Sequence, residues 1–398
     1  MEAYLWDWAN LLMRWLHIIV GIAWIGASFY FVMLDNSIRP PKKASDKQRG
    51  VHGELWAVHG GGFYHSQKFL TGPKDESLSE NLHWSYWEAY STWLSGMGLM
   101  CIVYWVGAKA YLIDASVMDL TPAQAISISI AFIALSWIIY DQLCRRLEGR
   151  DTVLAAAVFV LILACDYILF QIFSARAAYL HVGAIMGTMM VANVAMRIIP
   201  GQRRMVKQIR MGVPVDGRPG LIGKQRSVHN TYFTLPVLFI MISTHYPMTF
   251  SHEKGWLVLA VIMMAGVFIR QFFVLRHQGK KVWLYPILGV ALLGSLIVAL
   301  APNMYKSPMA DQPVAAVSDA DALAIVQTRC VMCHAEVPNY PGFYQAPKGI
   351  ILETQAQLDQ HASLIASTVA SKYMPLANLS KITDEERAQI AKWFADRQ

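Results

Sequence analysis

The chain has 398 residues, of which 55% are apolar and only 15% are charged, and its formal net charge is +7. Soluble proteins carry about 25% charged residues, so this composition excludes an ordinary water-soluble globular protein. The Lys and Arg residues cluster in loops beside apolar segments, a pattern that membrane topology explains and that does not indicate nucleic-acid binding.

Eight apolar segments dominate the first three quarters of the chain. A helix needs about 20 mostly apolar residues to cross a bilayer, and these segments predict an all-α, polytopic membrane bundle of about eight transmembrane helices. The sixth segment is short and contains Pro236, which predicts an earlier start or a kink. The predicted spans are 11–34, 84–106, 122–143, 152–173, 177–199, 231–246, 255–275 and 282–301.

Basic residues are concentrated on one side of this predicted bundle. Every second loop is rich in Lys and Arg, whereas each intervening loop carries one such residue. Because Lys- and Arg-rich loops remain in the cytoplasm, both termini are predicted to lie in the periplasm, with the bundle in a bacterial inner (cytoplasmic) membrane. The basic loops are 35–83, 144–151, 200–230 and 276–281.

The composition becomes that of a soluble domain near the C-terminus. Residues 302–318 contain prolines and no long apolar run, which predicts a linker between a membrane domain, 1–301, and a soluble domain, 319–398. Thr383 followed by Glu386 predicts a capping box at the start of the last helix.

The soluble domain contains a C-x-x-C-H sequence, Cys330 to His334. This spacing predicts covalent haem c, because both thiols reach the vinyl groups of one porphyrin edge and His334 then lies under the iron. A zinc site is the alternative, but it needs two further ligands. Met374, in a loop before the last helix, is the predicted sixth ligand, with His361 as the alternative. The segment therefore predicts a small cytochrome c domain.

Ionisable residues inside predicted spans are costly and are functional candidates. His17, His181 and His245 come from three different spans but from a similar, periplasmic depth. Two of them could ligate a haem b within the bundle. Taken singly, each is better explained as a hydrogen-bonded core or interfacial histidine.

Further segments carry a resemblance to a known family: 15–31 (WLHIIVGIAWIGASFYF), 59–69 (HGGGFYHSQKF), 83–96 (HWSYWEAYSTWLSG), 226–247 (RSVHNTYFTLPVLFIMISTHYP) and the C-x-x-C-H domain. With these segments the chain resembles the bacterial membrane-bound urate dehydrogenases, or urate hydroxylases, with a fused C-terminal cytochrome c. The resemblance implies purine catabolism, in which urate and water give 5-hydroxyisourate. It also implies that the electrons pass to cytochrome c and not to oxygen, so that no hydrogen peroxide forms.

Urate is a flat anion at neutral pH and requires a cation, amide-type donors and an aromatic ring to stack on. The cytoplasmic side of the predicted bundle offers all of these. A carboxylate or histidine there could accept the proton as electrons leave, which makes Glu88, His59 and His65 the catalytic candidates. The predicted substrate-binding residues are Lys68, Tyr64, Gln67, Arg197, His229 and Asn230.

The side on which urate binds decides whether a relay is needed. A cytoplasmic site would lie across about 30 Å of hydrocarbon from haem c, so the histidine set would have to hold an intermediate cofactor. A periplasmic site needs no relay, and the same histidines could then line it.

Two alternative functions remain: oxidation of quinol with reduction of the protein's own haem c, and a transporter with a regulatory haem tail. The implied partners are urate, the lipid bilayer and a downstream acceptor such as a terminal oxidase.

Overall fold

The chain folds mainly into α-helices, as predicted. The computed structural model describes residues 2–74, 76–301, 316–340, 343 and 345–397. Before the linker, the described helices are α1 (Glu2–Ser37), α2 (Ala44–Gln48), α3 (Trp87–Leu99), α4 (Pro122–Arg146), α5 (Asp151–Phe170), α6 (Ala175–Asn193), α7 (Ile199–Arg210), α8 (Arg218–Ser243), α9 (Pro247–Phe250), α10 (Gly255–His277) and α11 (Leu284–Ala299).

Among the described residues, five helices are long and apolar enough to cross a membrane. They correspond to the first, third, fourth, fifth and seventh predicted spans, and the fifth runs continuously from α6 into α7. These five segments are Tyr4–Ser37, Pro122–Arg146, Asp151–Phe170, Ala175–Arg210 and Gly255–His277.

The other three predicted spans form helices that do not meet the length and hydropathy required of a span. The second becomes α3, which continues through two π-helical stretches, Met100–Trp105 and Ala108–Leu112. The sixth is the apolar half of α8, whose first half contains Arg218, Lys224 and Arg226. The eighth is α11, which is apolar but short. The eight-span topology stays a prediction.

The all-α prediction missed a β-hairpin between α2 and α3. Strand β1 (Gly53–His59) pairs antiparallel with β2 (Gly62–Lys68). The connecting Gly60 and Gly61 both have positive φ, +60° and +82°. A two-residue hairpin turn of this kind requires positive φ at both central positions, which glycine adopts without steric cost.

Helix α6 forms the centre of the bundle and packs against α3, α4, α5 and α8. Small residues let its neighbours approach closely: a Cβ added at Gly183 would lie 2.8 Å from a side-chain carbon of Ile240 on α8. After α6 the helix passes through a π-helical turn, Val194–Ile198, before α7 begins. This turn carries Arg197 and directs it toward the end of α4.

The C-terminal residues form a second core, which includes Val326, Leu358 and Trp393. The predicted capping box is confirmed: Thr383 accepts a hydrogen bond from the N–H of Glu386, whose side chain accepts from the N–H of Thr383. Most of the predicted linker, 302–315, lies outside the described residues, so the domain boundaries stay predictions. The helices here are α12 (Asp319–Arg329), α13 (Gln355–Gln360), α14 (Ala362–Ala370) and α15 (Asp384–Ala395).

The C-terminal domain rests on one end of the bundle. Tyr373, in the loop between α14 and α15, packs against the core of the bundle. Its ring centroid lies 5.7 Å from that of Phe250 in α9. We call this the docked end of the bundle; the hairpin and the loop between α4 and α5 lie at the opposite end.

Candidate functional site

A buried carboxylate, Asp141 near the end of α4, is surrounded by three arginines. Arg226 donates from Nη2 to Oδ1 over 2.8 Å, and Arg145 donates from Nε to Oδ2 over 2.9 Å. Arg197 donates from Nε to Oδ1 over 2.8 Å and from Nη2 to Oδ2. Because three guanidinium groups meet one carboxylate, two positive charges are in excess. We call these four residues the arginine centre.

Neutral side chains extend this network. Asn193 accepts from Arg226 Nη1 over 3.3 Å and donates from Nδ2 to Tyr140 Oη and Asn230 Oδ1, both over 2.9 Å. Tyr140 Oη in turn lies 2.8 Å from His229 Nδ1. Arg226 also lies over the Tyr140 ring, with its Cζ 5.0 Å from the centroid. Most polar atoms in the network are therefore satisfied by one another.

The structure brings three of the predicted substrate-binding residues together here, namely Arg197, His229 and Asn230. Sequence reasoning missed the residues that join them, above all Asp141 and Arg226. One signal was present: Asp141 is the single carboxylate in the predicted span 122–143, and a charge in a span is a functional candidate.

The other three predicted substrate-binding residues, Tyr64, Gln67 and Lys68, lie on β2. Lys68 forms a salt bridge with Asp35 of α1, and Gln67 accepts a hydrogen bond from Arg49 over 3.4 Å. The Tyr64 ring is exposed. Within the described residues, no hydrogen bond joins these side chains to the arginine centre.

The three catalytic candidates are also separated. His59 is exposed at the end of β1, and Glu88 is half-buried in the first turn of α3. His65 stacks on Trp56, with centroids 4.3 Å apart, and its Nε2 lies 2.8 Å from Glu54 Oε2. The catalytic roles stay predictions. In the structure, His65 on β2 contacts Glu54 and Trp56 on β1 and so joins the two strands.

This contact predicts a pH-dependent hairpin. The backbone N–H of Lys42 donates to Glu54 over 3.1 Å and, together with His65, lowers the pKa of the Glu54 carboxyl. A carboxyl with a lowered folded-state pKa adds stability above its unfolded pKa, and this stability is lost as the pH falls through the folded value. We expect hydrogen exchange of hairpin amides, corrected for intrinsic rates, to accelerate on acidification. The acceleration should be smaller in Glu54→Gln; an equal acceleration in both proteins would contradict this explanation.

The histidines predicted to bind haem b have different surroundings. His181 is fully buried, with Nε2 2.6 Å from Ser129 Oγ and Nδ1 2.7 Å from the carbonyl of Ala177. His17 has Nδ1 3.0 Å from Ser95 Oγ, and His245 is exposed beyond the end of α8. No hydrogen bond or ring contact joins two of these three histidines in the part of the chain that the structure describes.

The C-x-x-C-H segment forms a tight turn at the end of α12. The N–H groups of Cys333 and His334 both donate to the carbonyl of Cys330, over 3.1 and 2.9 Å. Both thiols are free, and burial raises the pKa of Cys330 to about 12. His334 Nδ1 lies 2.9 Å from the carbonyl of Ile350. If Nδ1 is the protonated nitrogen, as this acceptor requires, the Nε2 lone pair remains for a metal.

Met374 is held by α15. Arg387 is buried and donates from Nη1 to the carbonyls of Val369 and Met374, both over 2.7 Å. Its Nη2 donates to Asn378 Oδ1 over 3.2 Å. An imidazole and a thioether, as in His334 and Met374, are the side-chain types that serve as axial ligands in c-type cytochromes, so the residue types are compatible with the predicted haem. In the described residues, no group of three or more His, Cys, Asp or Glu side chains could hold a metal ion.

The bundle matches one described protein family. Residues 3–301 match the family described as urate oxidase N-terminal. No curated protein and no solved structure is significantly similar to the chain. The match covers three quarters of the sequence and every residue of the arginine centre, and it stops where the predicted linker begins. The chain therefore belongs to the urate oxidase N-terminal family.

Proposed function

We propose that this protein oxidises urate to 5-hydroxyisourate in a bacterial inner membrane and passes the electrons to a haem c in its own periplasmic C-terminal domain. A terminal oxidase is the proposed downstream acceptor. The observation that carries the proposal is the combination within one chain of a urate oxidase N-terminal region and a C-x-x-C-H turn in which His334 Nδ1 lies 2.9 Å from the carbonyl of Ile350. Because haem c would accept the electrons, the proposed oxidation of urate does not require oxygen as the oxidant.

The residues of the C-terminal domain have defined proposed roles. Cys330 and Cys333 would hold the porphyrin covalently, and His334 and Met374 would be its axial ligands. When bound, haem c accepts one electron at a time. The bond to the Ile350 carbonyl fixes the orientation of the His334 ring, and Arg387 fixes the backbone at Met374.

The arginine centre supports the urate part of the proposal. Its excess positive charge favours a small anion, and Arg197, His229 and Asn230 remain the contacts predicted for urate bound at this end of the bundle. A cavity at the docked end, described below, is the competing site. The internal hydrogen bonds of the arginine centre also make it a structural clamp between α4, α6 and α8. If Arg197 contacts urate, a folded Arg197→Gln variant should bind urate more weakly; if its role is structural, the folded variant should bind urate normally.

Haem b ligation by two of His17, His181 and His245 also remains a proposal. A relay is required only if urate is oxidised at the end of the bundle opposite haem c. We expect a pyridine haemochrome spectrum of the whole denatured protein to show a b-type component if the relay exists. A spectrum with c-type haem alone would rule it out.

The visible absorption spectrum tests the proposed reaction. We expect urate, added without oxygen to the purified oxidised protein, to produce the reduced α-band of haem c. Prompt reduction by a quinol, with none by urate, would instead identify a quinol-oxidising protein.

A further inference from the structure

A cavity of about 420 Å³ lies between the bundle and the C-terminal domain. Small-molecule sites range from about 300 to 1,000 Å³ and often lie at domain interfaces. The bundle lines one side through the loops of its docked end, and the loop that carries Met374 lines the other. We call this space the seam cavity. A molecule bound in it would touch both domains.

Aromatic rings border the seam cavity from both domains. The accessible rings are Tyr111 and Phe170 of the bundle and Tyr373 of the C-terminal domain, whereas Phe250 is buried behind them. The rings of Phe250 and Tyr373 contact each other across the interface. Such rings offer faces on which a flat heterocycle can stack.

One cation that lines the seam cavity has a buried N–H group without a hydrogen-bond acceptor among the described residues. Lys372 is paired with Asp384 over 3.2 Å, and Arg387 is engaged by backbone carbonyls. Arg176 lies over the Tyr111 ring, its Cζ 5.5 Å from the centroid, and its side chain also interacts with the Tyr104 hydroxyl. Its buried Nε has no hydrogen-bond partner among the described residues. A buried guanidinium N–H without an acceptor is costly, and an anion in the cavity would supply one.

The backbone beside Arg176 favours the same ligand. Arg176 is in the first turn of α6, after the N-cap Ser174, and both residues line the seam cavity. The N-terminus of a helix carries a partial positive charge and unpaired N–H groups. Three acids also line the cavity. Asp384 is paired with Lys372, Asp114 interacts electrostatically with Arg387, and Glu253 lies in the loop before α10. The anion should therefore bind on the Arg176 side.

The seam cavity is also close to the proposed haem. Tyr111 is near enough to Cys333 to interact with it electrostatically, and Tyr373 directly precedes Met374. The arginine centre lies far from this end: along α4, the rise from Thr121 to Asp141 is about 30 Å. Electron tunnelling slows exponentially with distance, so oxidation beside haem c needs no intermediate cofactor.

We infer that the seam cavity binds the urate anion, with Arg176 as its cationic partner and the surrounding rings as its stacking surface. This inference rests on the proposed function and assigns a binding site to its substrate. The urate anion, C5H3N4O3⁻, and water give the anion of 5-hydroxyisourate, C5H3N4O4⁻, with two electrons and two protons. When bound, haem c would accept these electrons one at a time, and it would pass the first to the proposed downstream acceptor before it accepted the second. The oxygen of water forms the new bond to carbon, and the protons go to solvent.

Binding of radiolabelled urate to protein kept reduced with dithionite tests this inference, because reduced haem c cannot consume the ligand. We expect Arg176→Gln to weaken binding by about 10- to 100-fold, the loss typical of a charge-assisted hydrogen bond. Lys254→Gln removes an exposed cation at the same end, outside the cavity lining, and should bind urate as the unmodified protein does. Ser251→Trp should fill the cavity and abolish binding without removing a charge.

Covalent haem content and the thermal unfolding midpoint show whether each variant is folded. Unchanged binding in folded Arg176→Gln and Ser251→Trp would overturn the inference. Weakened binding in Arg197→Gln, together with unchanged binding in Arg176→Gln, would also overturn it, because that result would place urate at the arginine centre. In both cases, reduction of haem c by urate in the unmodified protein would leave the proposed function standing. Absence of both binding and reduction in the unmodified protein would overturn both proposals.

Discussion

Replacing Cys330 and Cys333 together by serine should remove all covalently bound haem from the protein. The two thiols lie in one turn at the end of α12, and both are free to form thioether bonds. Without them no covalent link to porphyrin remains, so haem staining of a denaturing gel should disappear. Urate-driven reduction of the haem should disappear with it.

Cysteines of the bundle provide the matched control. Cys144 and Cys165 are buried and unpaired, in α4 and α5. Cys144 Sγ lies 3.9 Å from His229 Nδ1, so Cys165 is the cleaner control. Cys165→Ser should retain full haem staining and urate-driven reduction. Staining that persists in the variant lacking Cys330 and Cys333, or that is lost equally in the Cys165 variant, would contradict covalent attachment at the C-x-x-C-H turn.

Asp141→Asn should destabilise the bundle by about 3–5 kcal/mol, the cost of removing one partner from a buried ion pair. Asp141 receives charge-assisted hydrogen bonds from three arginines, and Arg226 is as deeply buried as the carboxylate itself. The neutral amide keeps the shape but leaves these guanidinium groups uncompensated. We expect a marked fall in the thermal unfolding midpoint in detergent, with covalent haem unaffected.

Asp166→Asn is the matched control for this experiment. Asp166 lies on the neighbouring helix α5, and both its carboxylate oxygens are buried without a hydrogen-bond partner among the described residues. Removing an unpaired buried carboxyl should leave the midpoint unchanged or raise it. Equal loss in both variants would mean that the arginine contacts contribute no specific stabilisation.

Local sequence patterns predicted the elements whose causes are local. The capping box at Thr383 needs only residues within one turn, and α4 begins at the predicted Pro122 because an apolar run follows a capping residue, Thr121. The hairpin was missed because its exposed strands lack the alternation of apolar and polar residues that marks a half-buried sheet. Its Gly60–Gly61 turn was the available signal.

The arginine centre could not be assembled from local patterns. Arg226 lies 85 residues from Asp141 in the sequence, and Arg197 lies 56 residues away. Their contact depends on how α4, α6 and α8 pack, which no window of the sequence records. The seam cavity is less predictable still, because it exists only where two separately folded cores meet.

The π-helical turn that carries Arg197 also sets the phase of the helix that follows. Each residue inserted into an α-helix rotates every later side chain by about 100° around the axis, and a π-helical turn acts as such an insertion. Deleting one of the three residues that precede Arg197 in this turn, Val194–Met196, would restore a regular helix and turn the guanidinium of Arg197 away from Asp141, with the amino-acid composition almost unchanged. Chain length in this short segment therefore determines the contact as strictly as residue identity does. A relative one residue shorter here would have to supply its third arginine from another position.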